Sequence, residues 1–226
     1  MDKAAENFPT EMSWRMAARY CNWLQNGKRP ERNAFENGAY DTSTFTTNAD
    51  GTFNDQRTHT PGASFWIPTV DEWIKAAYYD PNRYGDGVEG YWLYNNQSNT
   101  APIYNAPWNG GESNGGIWEG DDWRYYDVAS YPNAKSVWGL YDLSGGVSEY
   151  TEGVSGGSTR KAFGSERYAQ FPADSDLIAS LYYTSPPTST FSGFRIASTI
   201  PSSATAAVAQ WLYVFVMLRR RKHVPR

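Results

Sequence analysis

One stretch narrows the choice of fold more than any other: Gly139-Leu140-Tyr141-Asp142-Leu143-Ser144-Gly145-Gly146-Val147-Ser148-Glu149-Tyr150-Thr151. Apolar Leu140 and Leu143, a glycine pair and two carboxylates predict a short strand entering a tight turn, with both acids aimed at one place. Glycine reaches the positive-φ conformations that turn backbone carbonyls inward. Asp142 and Glu149, together with carbonyls from such a turn, are hard oxygen ligands of the kind calcium gathers in sets of about six to eight. The spacing alone also fits an ordinary turn whose acids face water.

The rest of the composition sets limits. A chain of 226 residues with 40% hydrophobic content builds a real core. Its formal charge of −4, with no basic stripe through the body, excludes a nucleic-acid surface. Ten Trp and seventeen Tyr beside twenty Gly and thirteen Pro point to a loop-rich fold held by large rings, which serve as core or as sugar-stacking surface. The single cysteine, Cys21, excludes an internal disulfide and any cysteine-cluster metal site. His59 and His223 lie outside every motif, so no histidine-based triad or metal centre is expected.

In chain order, Ser13 reads as the N-cap of an amphipathic helix running to Gln25, with Gly27 just past its end. Trp14, Ala17, Ala18, Cys21 and Leu24 share one face, which makes Cys21 a buried structural thiol. Residues 28–61 read as a long excursion with one short hairpin near Ala39 to Phe45. Ser64-Phe65-Trp66-Ile67 delivers the chain to Thr69-Val70-Asp71-Glu72, a capping box that makes Glu72 a helix cap rather than a catalytic acid. Tyr91-Trp92-Leu93-Tyr94 predicts another strand, Asn109 to Gly116 a flexible loop, and Asp121 to Val128 a solvated strand entry.

The central stretch resembles the Gly-Leu-Tyr-Asp-Met-x-Gly-Asn-Val-Trp-Glu-Trp-Thr signature of the formylglycine-generating enzyme, or sulfatase-modifying factor, family. Met12-Ser13-Trp14 with Tyr20-Cys21-Asn22-Trp23-Leu24, Ile67-Pro68-Thr69-Val70-Asp71-Glu72-Trp73, and Ser192-Gly193-Phe194-Arg195-Ile196-Ala197 resemble three more family segments in the same order. The resemblance implies an α+β domain over residues 1–198, of the irregular C-type-lectin-like kind, with two main helices, short strands and long loops. It also implies strands ahead of the Ser-Trp helix, which residues 1–10 do not supply, so the chain reads as a fragment or as starting at a misassigned codon.

Carried over residue by residue, the family's calcium site falls on Asp142 and Glu149 as side-chain ligands, with Gly145 and Val147 as carbonyl ligands. Gly146, Ser148 and Tyr150 replace the family's Asn and two Trp beside it. The family's catalytic cysteines fall at Tyr168 and Ala173, after Ala162-Phe163-Gly164-Ser165-Glu166 in place of its Arg-Gly-Gly-Ser-Trp. Neither side chain replaces a Cu(I)-holding thiolate, so copper and formylglycine-generating activity are not expected. Relatives that join sulfur to histidine derivatives use iron held by an added helical domain that this sequence lacks.

Residues 199–226 resemble a PEP-CTERM sorting tail: Ile200-Pro201 opens it, an apolar run spans 204–218, and basic residues 219–222 follow. That order predicts a short membrane segment with a cytoplasmic stop, and hence export to the cell envelope. Residues 1–10 show no apolar leader, which leaves a cytoplasmic location open. The sequence as a whole suggests a non-catalytic, calcium-stabilised module binding a glycan or a protein; a metal-dependent oxidoreductase with an unrecognised site is the alternative.

Overall fold

The computed structural model describes residues 11–117, 126–180, 182–184 and 192–199. Helix α1 runs Trp14–Gln25 and helix α2 Val70–Tyr78; a short α3 spans Pro172–Asp176. Strands are brief: β1 Phe65–Trp66, β2 Tyr79–Asp80, β3 Gly90–Tyr91, β4 Glu149–Ser155, β5 Thr159–Phe163, β6 Tyr182–Thr184, β7 Gly193–Phe194 and β8 Ala197–Ser198. This is the α+β architecture of two main helices, short strands and long loops.

Both main helices start where the sequence predicts. Ser13 Oγ accepts from Met16 N at 3.3 Å, and Thr69 with Glu72 forms a reciprocal capping box. Glu72 does more than cap: its Oε2 also accepts from the Trp66 indole at 2.9 Å, fixing the approach of the preceding chain.

β4 is the centre of a four-stranded sheet ordered β6-β5-β4-β7. It pairs antiparallel with β5 and parallel with β7, setting Glu149 opposite Phe163 on one side and Gly193 on the other. The α1 face Trp14, Ala17, Ala18 and Cys21 packs with Tyr40, Trp66, Ile67, Tyr150 and Ala162. A second cluster joins Trp73, Ala77 and Tyr78 of α2 to Leu140, Leu143 and Phe163, with the Trp73 and Phe163 rings stacked at 4.9 Å.

Against the first of these cores, Arg160 is wholly buried. Its guanidinium lies 3.5 Å from the Trp14 ring centroid and donates to the carbonyls of Gln56, Arg57 and Glu152. Burial lowers its pKa to about 10, opposed by Asp55, Tyr40 and Glu152. Cation–π contact and three carbonyls thus replace most of the water a guanidinium gives up, with Nε alone left without a partner among the described residues.

Three sequence expectations change. The excursion 28–61 holds no hairpin at Ala39 to Phe45; a 3-10 turn occupies Thr42–Thr44, because the Asp41 carboxylate accepts from Ser43 N at 2.9 Å and closes the turn locally. The strand expected over Tyr91 to Tyr94 is Gly90–Tyr91, paired with β2. The loop 109–116 is packed rather than loose: Ser113 and Asn114 are buried and Asn114 Oδ1 accepts from Gly146 N at 2.6 Å. Residues 121–125 and the segment 204–218 lie outside the described residues, among which no helix is long and apolar enough to cross a membrane.

Trp14→Ala is expected to cost about 3–5 kcal/mol, because it opens a core cavity and removes the ring under Arg160, whereas Met16→Ala on the exposed side of α1 should stay within about 0.5 kcal/mol. Urea unfolding of both variants checks the difference.

Candidate functional site

The turn between Gly139 and Glu149 is built from backbone that few side chains tolerate. Asp142 holds φ at 57°, a left-handed conformation that aspartate accepts better than most residues. Gly145 holds φ at 79°, and a Cβ there would stand 2.2 Å from Asn114 Oδ1. Any larger residue at 145 would push the turn off the 113–114 loop.

At this turn one guanidinium, that of Arg195, reaches both the Glu149 carboxylate and the backbone carbonyl of Asp142. Glu149 Oε2 accepts from Trp73 Nε1 at 2.9 Å and from Arg195 Nε at 2.6 Å. Arg195 Nη2 then donates to the carbonyls of Tyr141 and Asp142, at 2.6 and 2.7 Å. Asp142 Oδ2 accepts from Ala129 N at 2.7 Å. Burial pushes the pKa of both carboxyls up, with Arg195 pulling each back.

Each carboxylate therefore spends one oxygen on protein donors and keeps the other. Asp142 Oδ1, Glu149 Oε1 and the carbonyl oxygens of Gly145 and Val147 accept no hydrogen bond among the described residues. One guanidinium also faces two carboxylates, leaving an uncompensated negative charge in a largely buried place. Hard, unpartnered oxygens with excess negative charge fit a calcium ion. The described residues contain no group of three His, Cys, Asp or Glu side chains able to hold a metal, so any cation here would rely on carbonyls as well.

All four sequence motifs meet around β4. Trp73 and Arg195 reach Glu149, and Trp14 Nε1 donates to Thr151 O at 3.2 Å. The profile of the sulfatase-modifying factor enzyme 1-like domain matches residues 2–200. The chain belongs to this FGE-sulfatase family.

Solved structures with the same fold include one described as the crystal structure of CarF, at TM-score 0.50 and 22% identity, covering 84% of this chain and 67% of that one. Treponema denticola variable protein 1 is similar at TM-score 0.52 and 19% identity, covering 84% of this chain and 70% of its own. No curated protein matches.

In this FGE-sulfatase domain Tyr168 and Ala173 sit on the segment after β5. Tyr168 is 44% exposed and Ala173 lies in α3. The segment is anchored from beneath by Asp176, which is wholly buried. Asp176 Oδ1 accepts from Ser165 N at 2.7 Å, while Oδ2 accepts from the hydroxyls of Ser144, Ser165 and Tyr104 at 2.5, 3.0 and 2.8 Å. Burial raises the Asp176 pKa, and these donors hold it back. Gly145 N also donates to Ser165 Oγ at 3.0 Å, so this anchor and the acidic turn share a wall. Cys21 is buried in the α1 core, where burial first and Glu152 second push its thiol far above the ordinary range.

Sequence reading missed the group around Glu152. Its Oε1 accepts from Tyr40 OH at 2.6 Å and from His59 N at 2.7 Å, with His59 Nδ1 at 2.9 Å. The His59 ring stacks on Trp66 at 4.6 Å. Partners lying 93 and 112 residues away leave no local spacing to read.

Glu149→Gln should change the pH dependence of stability. Burial raises the folded Glu149 pKa above its unfolded value of about 4.3, so the native state binds this proton more tightly. That contribution is present below about pH 4.3 and is lost as pH rises through the folded pKa. Denaturant unfolding without metal, from about pH 4 to 7, should show wild type losing ground to the variant as pH rises. A gap between the two that does not change with pH contradicts this.

Proposed function

We propose that this FGE-sulfatase domain is a non-catalytic binding module, stabilised by calcium and displayed at the cell envelope. The observation carrying the reading is the fate of the thiols. The resemblance puts the family's cysteine pair at Tyr168 and Ala173, and the single cysteine of the chain is sealed in the core. With no thiolate pair there is no soft donor set for Cu(I).

The calcium part rests on Asp142, Gly145, Val147 and Glu149, whose spare oxygens and excess negative charge suit a hard cation. Bound there, the ion supplies positive charge and ties the two ends of the turn together. Trp73 and Arg195 hold Glu149 in orientation, while Ala129 N fixes Asp142. Membrane attachment rests on the apolar run 204–218 and the basic residues 219–222, and the ligand class, glycan or protein, on the many aromatic side chains.

Thermal melts of the full chain in EDTA and in millimolar calcium test the site. Calcium at a hundred times Kd adds about 2.7 kcal/mol, which raises Tm by roughly 5–10 °C for a domain of this size. The rise should vanish in Asp142→Asn/Glu149→Gln. A shift that survives in that variant places calcium elsewhere, and no shift in wild type removes calcium from the account. In parallel, incubation with copper, oxygen and a cysteine-containing sulfatase peptide should leave the peptide unconverted by mass spectrometry; any formylglycine product overturns the non-catalytic reading.

A further inference from the structure

Away from the acidic turn, the ribbon of β2 and β3 meets the turn 136–139 in a cluster of rings. Tyr79 is half-buried and serves as the backing ring. Tyr91 packs edge-on against it at 5.3 Å, and Trp138 lies nearly parallel to it, at 10° and 6.4 Å. Lys75 places its ammonium 5.1 Å from the Tyr79 centroid, and the Tyr79 hydroxyl donates to Glu89 Oε2 at 2.5 Å. Tyr91 and Trp138 remain 45% and 50% exposed, while Trp14, Trp66 and Trp73 are buried.

Both outward rings ride on ordered backbone. Trp92 N donates to Tyr78 O at 2.9 Å behind Tyr91, and Ser136 N donates to Leu140 O at 3.0 Å behind Trp138. Their polar edges are available: the Tyr91 hydroxyl, the Trp138 indole N–H and Glu89 Oε1 have no hydrogen-bond partner among the described residues. Carboxylates outnumber cations around them. The ribbon itself carries Asp80, Asp86 and Glu89 against Arg83, which lies 3.4 Å from the Trp92 centroid, and Trp92 Nε1 donates to Asp80 Oδ2 at 3.0 Å.

We infer that this face binds a neutral oligosaccharide, with Trp138 and Tyr91 as the stacking rings and Glu89 as a hydroxyl acceptor. A pyranose presents an apolar C–H face and a rim of hydroxyls, which is the complement of exposed ring faces edged by free donors and acceptors. An acidic glycan meets repulsion on a face whose carboxylates outnumber its cations. Preorganised rings bind at low entropic cost, since little side-chain freedom remains to be lost. This inference rests on the proposed binding role and gives that role a location and a ligand class; it is independent of calcium.

Titration calorimetry of the full chain with cellohexaose, mannohexaose and chitohexaose, beside an acidic oligogalacturonate, tests it. At least one neutral hexaose should bind, and Trp138→Ala and Tyr91→Ala should each weaken it roughly tenfold or more. Trp108→Ala, an exposed ring elsewhere, should leave binding unchanged, and all three variants should melt as wild type does. Failure of every neutral sugar at millimolar concentration, stronger binding of the acidic one, or full binding by Trp138→Ala overturns the inference. A protein partner captured through the same rings, with no sugar bound, overturns the ligand class. The melts and the peptide assay decide calcium and catalysis separately.

Discussion

The carboxylate of Glu149 is the point on which this fold depends. Its Oε2 accepts hydrogen bonds from an indole 76 positions earlier and from a guanidinium 46 positions later. Breaking a buried ion pair from one side leaves an uncompensated charge, which is costly. With Glu149 opposite Gly193, β7 lies parallel to β4, and Arg195 just beyond it can reach back to the Tyr141 and Asp142 carbonyls. The same pair closes the turn and sets the strand order.

Much of the chain is loop, and every loop must satisfy its backbone polar groups without a ladder. Buried side chains do this here. Asp176 collects Ser144, Ser165 and Tyr104 from three separate segments. Arg160 gathers carbonyls at 56, 57 and 152, and Glu152 gathers Tyr40 and His59. Loops fixed in this way provide rigid support for exposed rings and acids, so the scaffold and the candidate binding surfaces share one construction.

What could be read from the sequence follows from distance along the chain. Ser13 and the Thr69–Glu72 box act within three residues, so both helices were legible together with their caps. The family motifs marked α1, α2, the acidic turn and the closing strand. The role of Arg195 was not legible, because a closing motif does not show which carboxylate it reaches. Asp176, Arg160 and Glu152 were missed for the same reason: their partners lie far off with no periodicity between them. The expected hairpin at Ala39 to Phe45 gave way to a turn that Asp41 closes, and the glycine-rich 109–116 segment was ordered by burial of Ser113 and Asn114.

A double-mutant cycle of Glu149→Gln and Arg195→Met, measured by denaturant unfolding in EDTA, tests the central claim most directly. Each single variant leaves one buried partner unmatched and should lose about 3–5 kcal/mol. The double variant should lose less than the sum, with a coupling of about 1–3 kcal/mol. Strict additivity would mean that the two residues act independently, and that the organisation of the fold around their ion pair is wrong.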